Sequence, residues 1–255
     1  MPHFSSPGAP PSRQDPVDGL LLVDKPEGLT SHDVVDRIRR RFRFRKVGHG
    51  GTLDPMATGL LVLLIGRGTR LSERIMSSDK VYEGAMRLGA RTDTEDVDGR
   101  IVAEADPSGV TEEALRAAMA RREGDQLQTP PMVSAVKKDG VPLYKLARRG
   151  QTVERAARLI HVYEFTLLGF EPPRARFRLA CTKGTYVRTL CADIGEELGC
   201  GAFLESLRRT AAGVFRVADA HPLSALLELE LPDLLDRVIP AHRIVWGDEG
   251  RAPLG

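Results

Sequence analysis

The sequence predicts an α+β domain built on a mixed sheet. Three observations lead there. Strand-like and helix-like segments mix without strict βαβ alternation, and several neighbouring strands read as antiparallel. Apolar runs such as "GLLVLLIG" fall well short of the roughly 20 residues that span a bilayer, so they read as buried strands and no membrane segment is expected. A chain of 255 residues can bury one large core or two small ones.

The elements follow in order. Residues 1–18, rich in Pro, Ser and Gly, read as a disordered arm. "GLLLVDKP" is a short buried strand stopped by Pro26. "TSHDVVDRIRRRF" is a helix. Thr30 and Asp33 have capping-box spacing, and Val34, Val35 and Ile38 make its apolar side. "LLVLLIG" is a second buried strand, "TRLSERIM" one or two helical turns, and "KVYEGAMRLG" an alternating strand. "RTDTEDVDG" is an acidic loop ending in a turn. "TEEALRAAM" is a helix capped by Thr111. Paired prolines keep the start of "TPPMVSAVKKDG" out of a helix, and "PLYKLARRG" reads as a short helix. "RLIHVYEFTLLGF" and "RARFRLACT" alternate as strands. In "GTYVRTLCADIGEELG", Val187, Leu190, Cys191, Ile194 and Leu198 share one helical face. The tail, residues 224–255, reads as one apolar helix plus a short segment, too short for an independent domain.

A net charge of +2 argues nothing by itself, but the charge is clustered. "RIRRRFRFRK", residues 37–46, holds seven basic residues and no acid, and "KKDGVPLYKLARRG" is a second basic group. Such clusters mark either a local polyanion site or solvated helix faces. Three cysteines without a CxxC pair, and no signal peptide, suit reduced thiols in a cytoplasmic protein. The six histidines lack metal-ligand spacing, so no metal is expected.

"KVGHGGTLDPMATGLL", residues 46–61, places one carboxylate, Asp54, in a run with four glycines. The glycines imply close backbone approach or positive φ. Asp54 before Pro55 is then either a turn residue or a carboxylate presented to a ligand.

Five blocks decide between these. "GLLLVDKPEGLTSHDVV", "KVGHGGTLDPMATGLL", "SDKVYEGAMRLGARTDTEDVDG", "TPPMVSAVKKDGVPLYKLARRG" and "CTKGTYVRTLCADIGEELGCGAFLESLRRT" stand in register over about residues 19–218. Together they resemble the bacterial TruB family of tRNA pseudouridine synthases. The resemblance implies the pseudouridine synthase fold: a large mixed, mainly antiparallel sheet flanked by helices, with an inserted thumb at about 124–152. It places the catalytic domain at 19–223. It implies conversion of the T-loop uridine at tRNA position 55 to pseudouridine, with no cofactor. The implied partner is the T-arm of tRNA, with no obligate protein partner.

The same resemblance assigns roles. Asp54 matches the essential aspartate. It acts either as a nucleophile or by removing a sugar proton to give a glycal, and the sequence leaves both routes open. Arg188 matches the arginine that pairs with this carboxylate through a two-pronged bond. Tyr82 matches the tyrosine that stacks on the flipped uracil, and Asp96 an acid linked to the active-site network. Tyr186 and Leu207 are expected to line the uracil pocket, and His49 to fill the space the base vacates. Arg70 stands where relatives carry lysine. Lys25, grouped with these substrate-site residues, lies in "DKP", whose implied role is support of the catalytic loop. Gly50 replaces the usual threonine or serine. Arg39, Arg40 and Arg43, with Lys137, Lys145 and Arg148 of the thumb, are the expected RNA-backbone contacts. Most bacterial relatives add a small RNA-binding domain of the PUA type, and residues 224–255 are too few to build one. Two other functions fit in part: a tRNA-folding chaperone, and a synthase for another RNA. The Asp54–Arg188 pair favours chemistry over pure binding.

Overall fold

The computed structural model describes residues 15–134 and 153–246, together with the backbone of 137–138 and 141–142. The strands are β1 Gly19–Lys25, β2 Val47–His49, β3 Thr58–Ile65, β4 Lys80–Leu88, β5 Ala90–Thr92, β6 Ile101–Glu104, β7 Gly124–Gln128, β8 Lys137–Lys138, β9 Val141–Pro142, β10 Arg158–Glu171, β11 Arg174–Cys181, β12 Ala202–Ala212, β13 Phe215–Arg216, β14 His221–Pro222 and β15 Ile239–Pro240. The helices are α1 Ser31–Phe42, α2 Ser72–Ser77, α3 Glu112–Ala120, α4 Val187–Glu197, α5 Leu223–Glu228 and α6 Leu231–Leu235. One large sheet runs β14-β1-β3-β12-β4-β11-β10-β7, with β2, β13 and β15 attached. The β1–β14 and β12–β3 pairings are parallel, and the others in this sheet are antiparallel. This is the expected mixed, mainly antiparallel sheet.

Strands β1 and β3 are buried on both faces, which is why they read as unbroken apolar runs. Leu21, Val23, Leu61 and Leu63 face the main core with α1. Leu20, Leu22, Leu60, Val62 and Leu64 face a second core closed by Phe215, Ile239, Ile244 and Trp246. Helix α1 starts at the predicted capping box: Thr30 accepts from the Asp33 amide, and the Asp33 carboxylate accepts from the Thr30 amide. It ends where Arg43 turns left-handed at φ 55°.

Four expectations change. Strand β12 was not anticipated, although it lies at the centre of the sheet. Its two register shifts, at Leu204/Ser206 and Arg209/Ala211, break the alternation that marks a strand. The segment assigned to the thumb opens with β7, an edge strand of the main sheet paired with β10. The tail forms two short helices rather than one: Pro232 opens the second, after Leu229 and Glu230 turn extended. It is also no appendage, since Leu226, Leu234 and Val238 join the main core and β15 pairs with β1. Finally, the arm is docked from Asp15 onward, with Asp15 accepting from the Arg45 and Lys46 amides and Asp18 from Arg67. The helix expected in "PLYKLARRG", with Lys145 and Arg148, lies outside the described residues. Lys137 is described only as backbone, in β8.

Candidate active site

The glycine-rich loop joins β2 to β3, and its shape follows from what crowds it. A Cβ on Gly50 would lie 2.4 Å from Cγ2 of Ile75 on α2. That leaves no room for a hydroxyl-bearing residue at this position unless Ile75 shifts. At Gly59, φ is +95° and a Cβ would lie 2.4 Å from the Arg209 carbonyl. There β3 and β12 run parallel in close contact. Ser31 Oγ, at the start of α1, accepts from the Leu53 amide at 2.8 Å. Lys25 is fully buried, and Nζ donates to the carbonyls of Pro26, Pro55 and Ala57 at 2.9, 3.2 and 2.6 Å. Its three ammonium donors are thereby taken up by main-chain carbonyls, which ties β1 to the loop. Burial pushes its pKa down to about 8.

Asp54 stands at the tip, 44% exposed, with Arg188 Nη1 3.2 Å from Oδ2. The same Nη1 donates to Asp96 Oδ2 at 2.9 Å, while Nη2 donates to the Val133 carbonyl at 2.5 Å. The two-pronged bond expected between Arg188 and Asp54 is therefore replaced by a bridge between two carboxylates. Asp96 is held from its other side by Thr94 and the Asp98 amide. Burial disfavours a charged Arg188, but the Asp54 and Asp96 carboxylates outweigh it and raise its pKa. For Asp54, burial dominates and raises the carboxyl above its ordinary 3.8; Arg188 opposes the rise and Asp96 adds to it. A reaction that needs ionised Asp54 is lost as pH falls through that raised pKa. The acid limb of kcat/KM, which reports the free enzyme, is therefore expected above pH 3.8. A pH–rate profile on prefolded RNA checks this, and a limb at or below 3.8 would contradict it.

Asp54 and Arg188 open onto a cavity of about 290 Å³, near the lower end of the ligand-site range of ~300–1,000 Å³. Tyr82, Tyr186 and Leu207 line it, as expected. The Tyr186 ring lies against the Arg188 guanidinium, with Cζ 5.8 Å from its centroid. Its backbone is latched by Gln128, whose side chain donates to the Tyr186 carbonyl and accepts from its amide. His49 lies on β2 behind the loop and is not part of the lining; Gly51 N lies 3.4 Å from its Nδ1. Burial, and then Arg209, lower its pKa. Arg70 is exposed on a 3₁₀ turn and does not line the cavity either. Arg39, Arg40 and Arg43 are exposed at the far end of α1, roughly 15 Å along the axis from Ser31 at 1.5 Å per residue. Asp36 pairs with Arg39 at 2.7 Å and Arg40 at 3.7 Å, so this face is less cationic than its sequence suggests.

Two lining residues were not anticipated. Lys80 is 5% exposed, and its Nζ donates to the carbonyls of Ile75, Met76 and Ser78, closing the C-terminus of α2. Burial and then the charge of Arg209 push its pKa down to about 7. Arg209 is 2% exposed and donates to Leu60, Thr52 and Gly51 carbonyls. A buried cation paired with carbonyls leaves no charge pattern in sequence. Lys25, Lys80, Arg188 and Arg209 thus gather around Asp54 and Asp96, and burial moves the two lysines toward their neutral forms. Among the described residues no group of His, Cys, Asp and Glu is arranged to hold a metal ion.

Comparison with known proteins places the family. Residues 39–187 match the family described as TruB family pseudouridylate synthase (N terminal domain), and residues 188–243 match the tRNA pseudouridylate synthase B C-terminal domain. The tRNA pseudouridine synthase B of Opitutus terrae is 54% identical over 227 residues, covering 89% of this chain and 94% of that one. The protein of the same name from Syntrophotalea carbinolica is 51% identical over 217 residues, covering 85% and 71%. Among solved structures, a chain of a Cbf5-Nop10-Gar1 complex superposes with a TM-score of 0.69 at 30% identity, over 87% of this chain and 60% of that one. Two contiguous family matches and a relative 54% identical over most of both chains show that the chain belongs to the TruB family of pseudouridine synthases.

Proposed function

We propose that this protein isomerises uridine 55 in the T-loop of tRNA to pseudouridine, with Asp54 as its catalytic carboxylate. One observation carries the reading: in a chain of this family, Asp54 is held by a buried arginine at the mouth of a base-sized cavity lined by Tyr82. In the reaction the C1′–N1 bond breaks and a C1′–C5 bond forms. The hydrogen on C5 is lost to solvent, and N1 ends protonated. A uracil inside folded RNA is out of reach, so it must be flipped into the cavity. Tyr82 then stacks on it, an interaction worth roughly 1–3 kcal/mol per base in single-strand binders. Asp54 either adds to the nucleotide or takes a sugar proton, and Arg188 keeps the carboxylate oriented in both routes.

In this reading residues 19–223 carry the chemistry. The tail from 224 buttresses the sheet through Leu226, Leu234 and the β15–β1 pair. Incubation with an unmodified tRNA transcript, followed by pseudouridine mapping, tests the proposal. One new pseudouridine at position 55 is expected, and an isolated T-stem-loop should also be converted. No product on either RNA would overturn it.

The arginines of α1 serve as phosphate contacts. Replacing Arg39, Arg40 and Arg43 with glutamine should weaken tRNA binding and flatten its salt dependence by ~0.9 in slope per lost contact. Arg39 and Arg40 must first leave Asp36, so the loss should fall short of three full contacts. Titrations at several salt concentrations measure the slope; an unchanged slope would return these residues to a solvated helix face.

A further inference from the structure

Strand β12 contributes an arginine that reaches the site from below. Arg209 Nε donates to the Leu60 carbonyl at 2.8 Å, Nη1 to Thr52 at 3.3 Å and Nη2 to Gly51 at 3.1 Å. These carbonyls are not interchangeable. Gly51 and Thr52 lie just before Asp54, and Leu60 lies just after the loop, inside β3. Lys25 holds the complementary stretch, Pro55 and Ala57. On the other side, Arg209 is directly opposite Tyr82 across the β12–β4 pair, so its positive charge bears on the buried Tyr82 hydroxyl. One planar group with several fixed donors thus reaches both shoulders of the catalytic loop from the strand position that faces Tyr82.

We propose that Arg209 is a positioning residue that fixes the Asp54 loop to β12 and to Tyr82, so that carboxylate and ring keep one relative geometry while RNA enters. The inference rests on the functional reading of Asp54 and Tyr82 given above. Lysine cannot replace it. The three carbonyls are met by three different nitrogens, Nε, Nη1 and Nη2, whereas the three donors of an ammonium converge on one atom. Small displacements of a reacting group, near 1 Å, cost ~10²-fold in rate.

The test is single-turnover pseudouridine formation with saturating tRNA by the wild type, Arg209→Lys and Arg209→Gln. Each is assayed at a temperature where circular dichroism shows it folded. We expect the rate to fall ~30- to 100-fold for the lysine variant and further for glutamine, with the tRNA Kd within threefold of wild type. Leu234→Ala, fully buried in the tail's contact with the main core, serves as a control for lost stability. At a matched drop in Tm it should keep the wild-type rate. Hydrogen exchange on the unmutated protein adds a readout that needs no variant. The Gly50 amide, bonded to Val62 O, and the Leu53 amide, bonded to Ser31 Oγ, should exchange as slowly as those of β3. A lysine variant within threefold of the wild-type rate, equal losses in rate and affinity, the same rate loss in Leu234→Ala, or rapid exchange at both amides would overturn the inference. If the wild type itself made no pseudouridine, the functional reading would fail, and the inference with it. An active wild type beside an unimpaired lysine variant would remove Arg209 alone.

Discussion

Asp54→Asn is expected to abolish turnover and leave tRNA binding nearly intact. Asparagine keeps the shape of the side chain and removes the charge. The candidate phosphate contacts on α1 lie a helix length away. The fold should survive, because Arg188 keeps its bond to Asp96. The ionised carboxylate is disfavoured by its burial, so the neutral amide should match or slightly raise the Tm. The expected loss is ~10³-fold or more, within or beyond what a positioned acid or base contributes. Single-turnover rates, tRNA Kd and Tm are measured on the same preparation. An asparagine variant with a tenth of the wild-type rate would mean that the carboxylate is not the chemical group.

Arg188→Met should be the most damaging single change to both stability and activity. It removes the cation from a site where Asp96 is almost fully buried and Asp54 half-buried. Asp96 Oδ1 keeps Thr94 and the Asp98 amide, but Oδ2 loses its charged partner. Breaking a buried pair costs ~3–5 kcal/mol, a large share of the ~5–15 kcal/mol that stabilises a domain. The Asp54 carboxyl also loses the one neighbour that most lowers its pKa, so the acid limb of any residual activity should move to higher pH. The double variant Arg188→Met, Asp96→Asn separates the two effects. It should recover much of the stability, because the uncompensated charge is gone, and none of the turnover, because Asp54 is still unheld. Denaturation and rate measurements across the four-member cycle give the answer. A stable single variant, or a double variant that turns over, would show that the arginine's part is misassigned.

The sequence made some of this legible and hid the rest for identifiable reasons. β1, β3, α1 and α4 announce themselves through apolar runs or a capped amphipathic face. β12 does not, because its bulges shift which residues point inward. Asp54 and Arg188 were legible only through the five-block resemblance, since either residue alone has a bland explanation. Asp96 was foreseen as part of the network, but the bridging geometry was not, because spacing says nothing about which nitrogen meets which oxygen. Lys80 and Arg209 were missed for a different reason. Their counter-groups are main-chain carbonyls, which every residue carries and no sequence pattern displays. His49 and Arg70 have roles only by resemblance, His49 in the space the flipped base leaves and Arg70 at a phosphate, and both stand away from the cavity lining.

The closure of the sheet at β1 has a consequence for biosynthesis. β1 emerges from the ribosome early and finds β3 soon afterwards. Its other neighbours, β14 at His221–Pro222 and β15 at Ile239–Pro240, are made long after it. At ~5–20 residues per second, the nascent chain spends roughly 10–35 s with the Leu20, Leu22, Leu60, Val62 and Leu64 face uncovered, awaiting Ile239 and Trp246. For that interval the nascent chain carries a broad oily surface beside an open strand edge, a hazard when translation stalls before Ile239 is made.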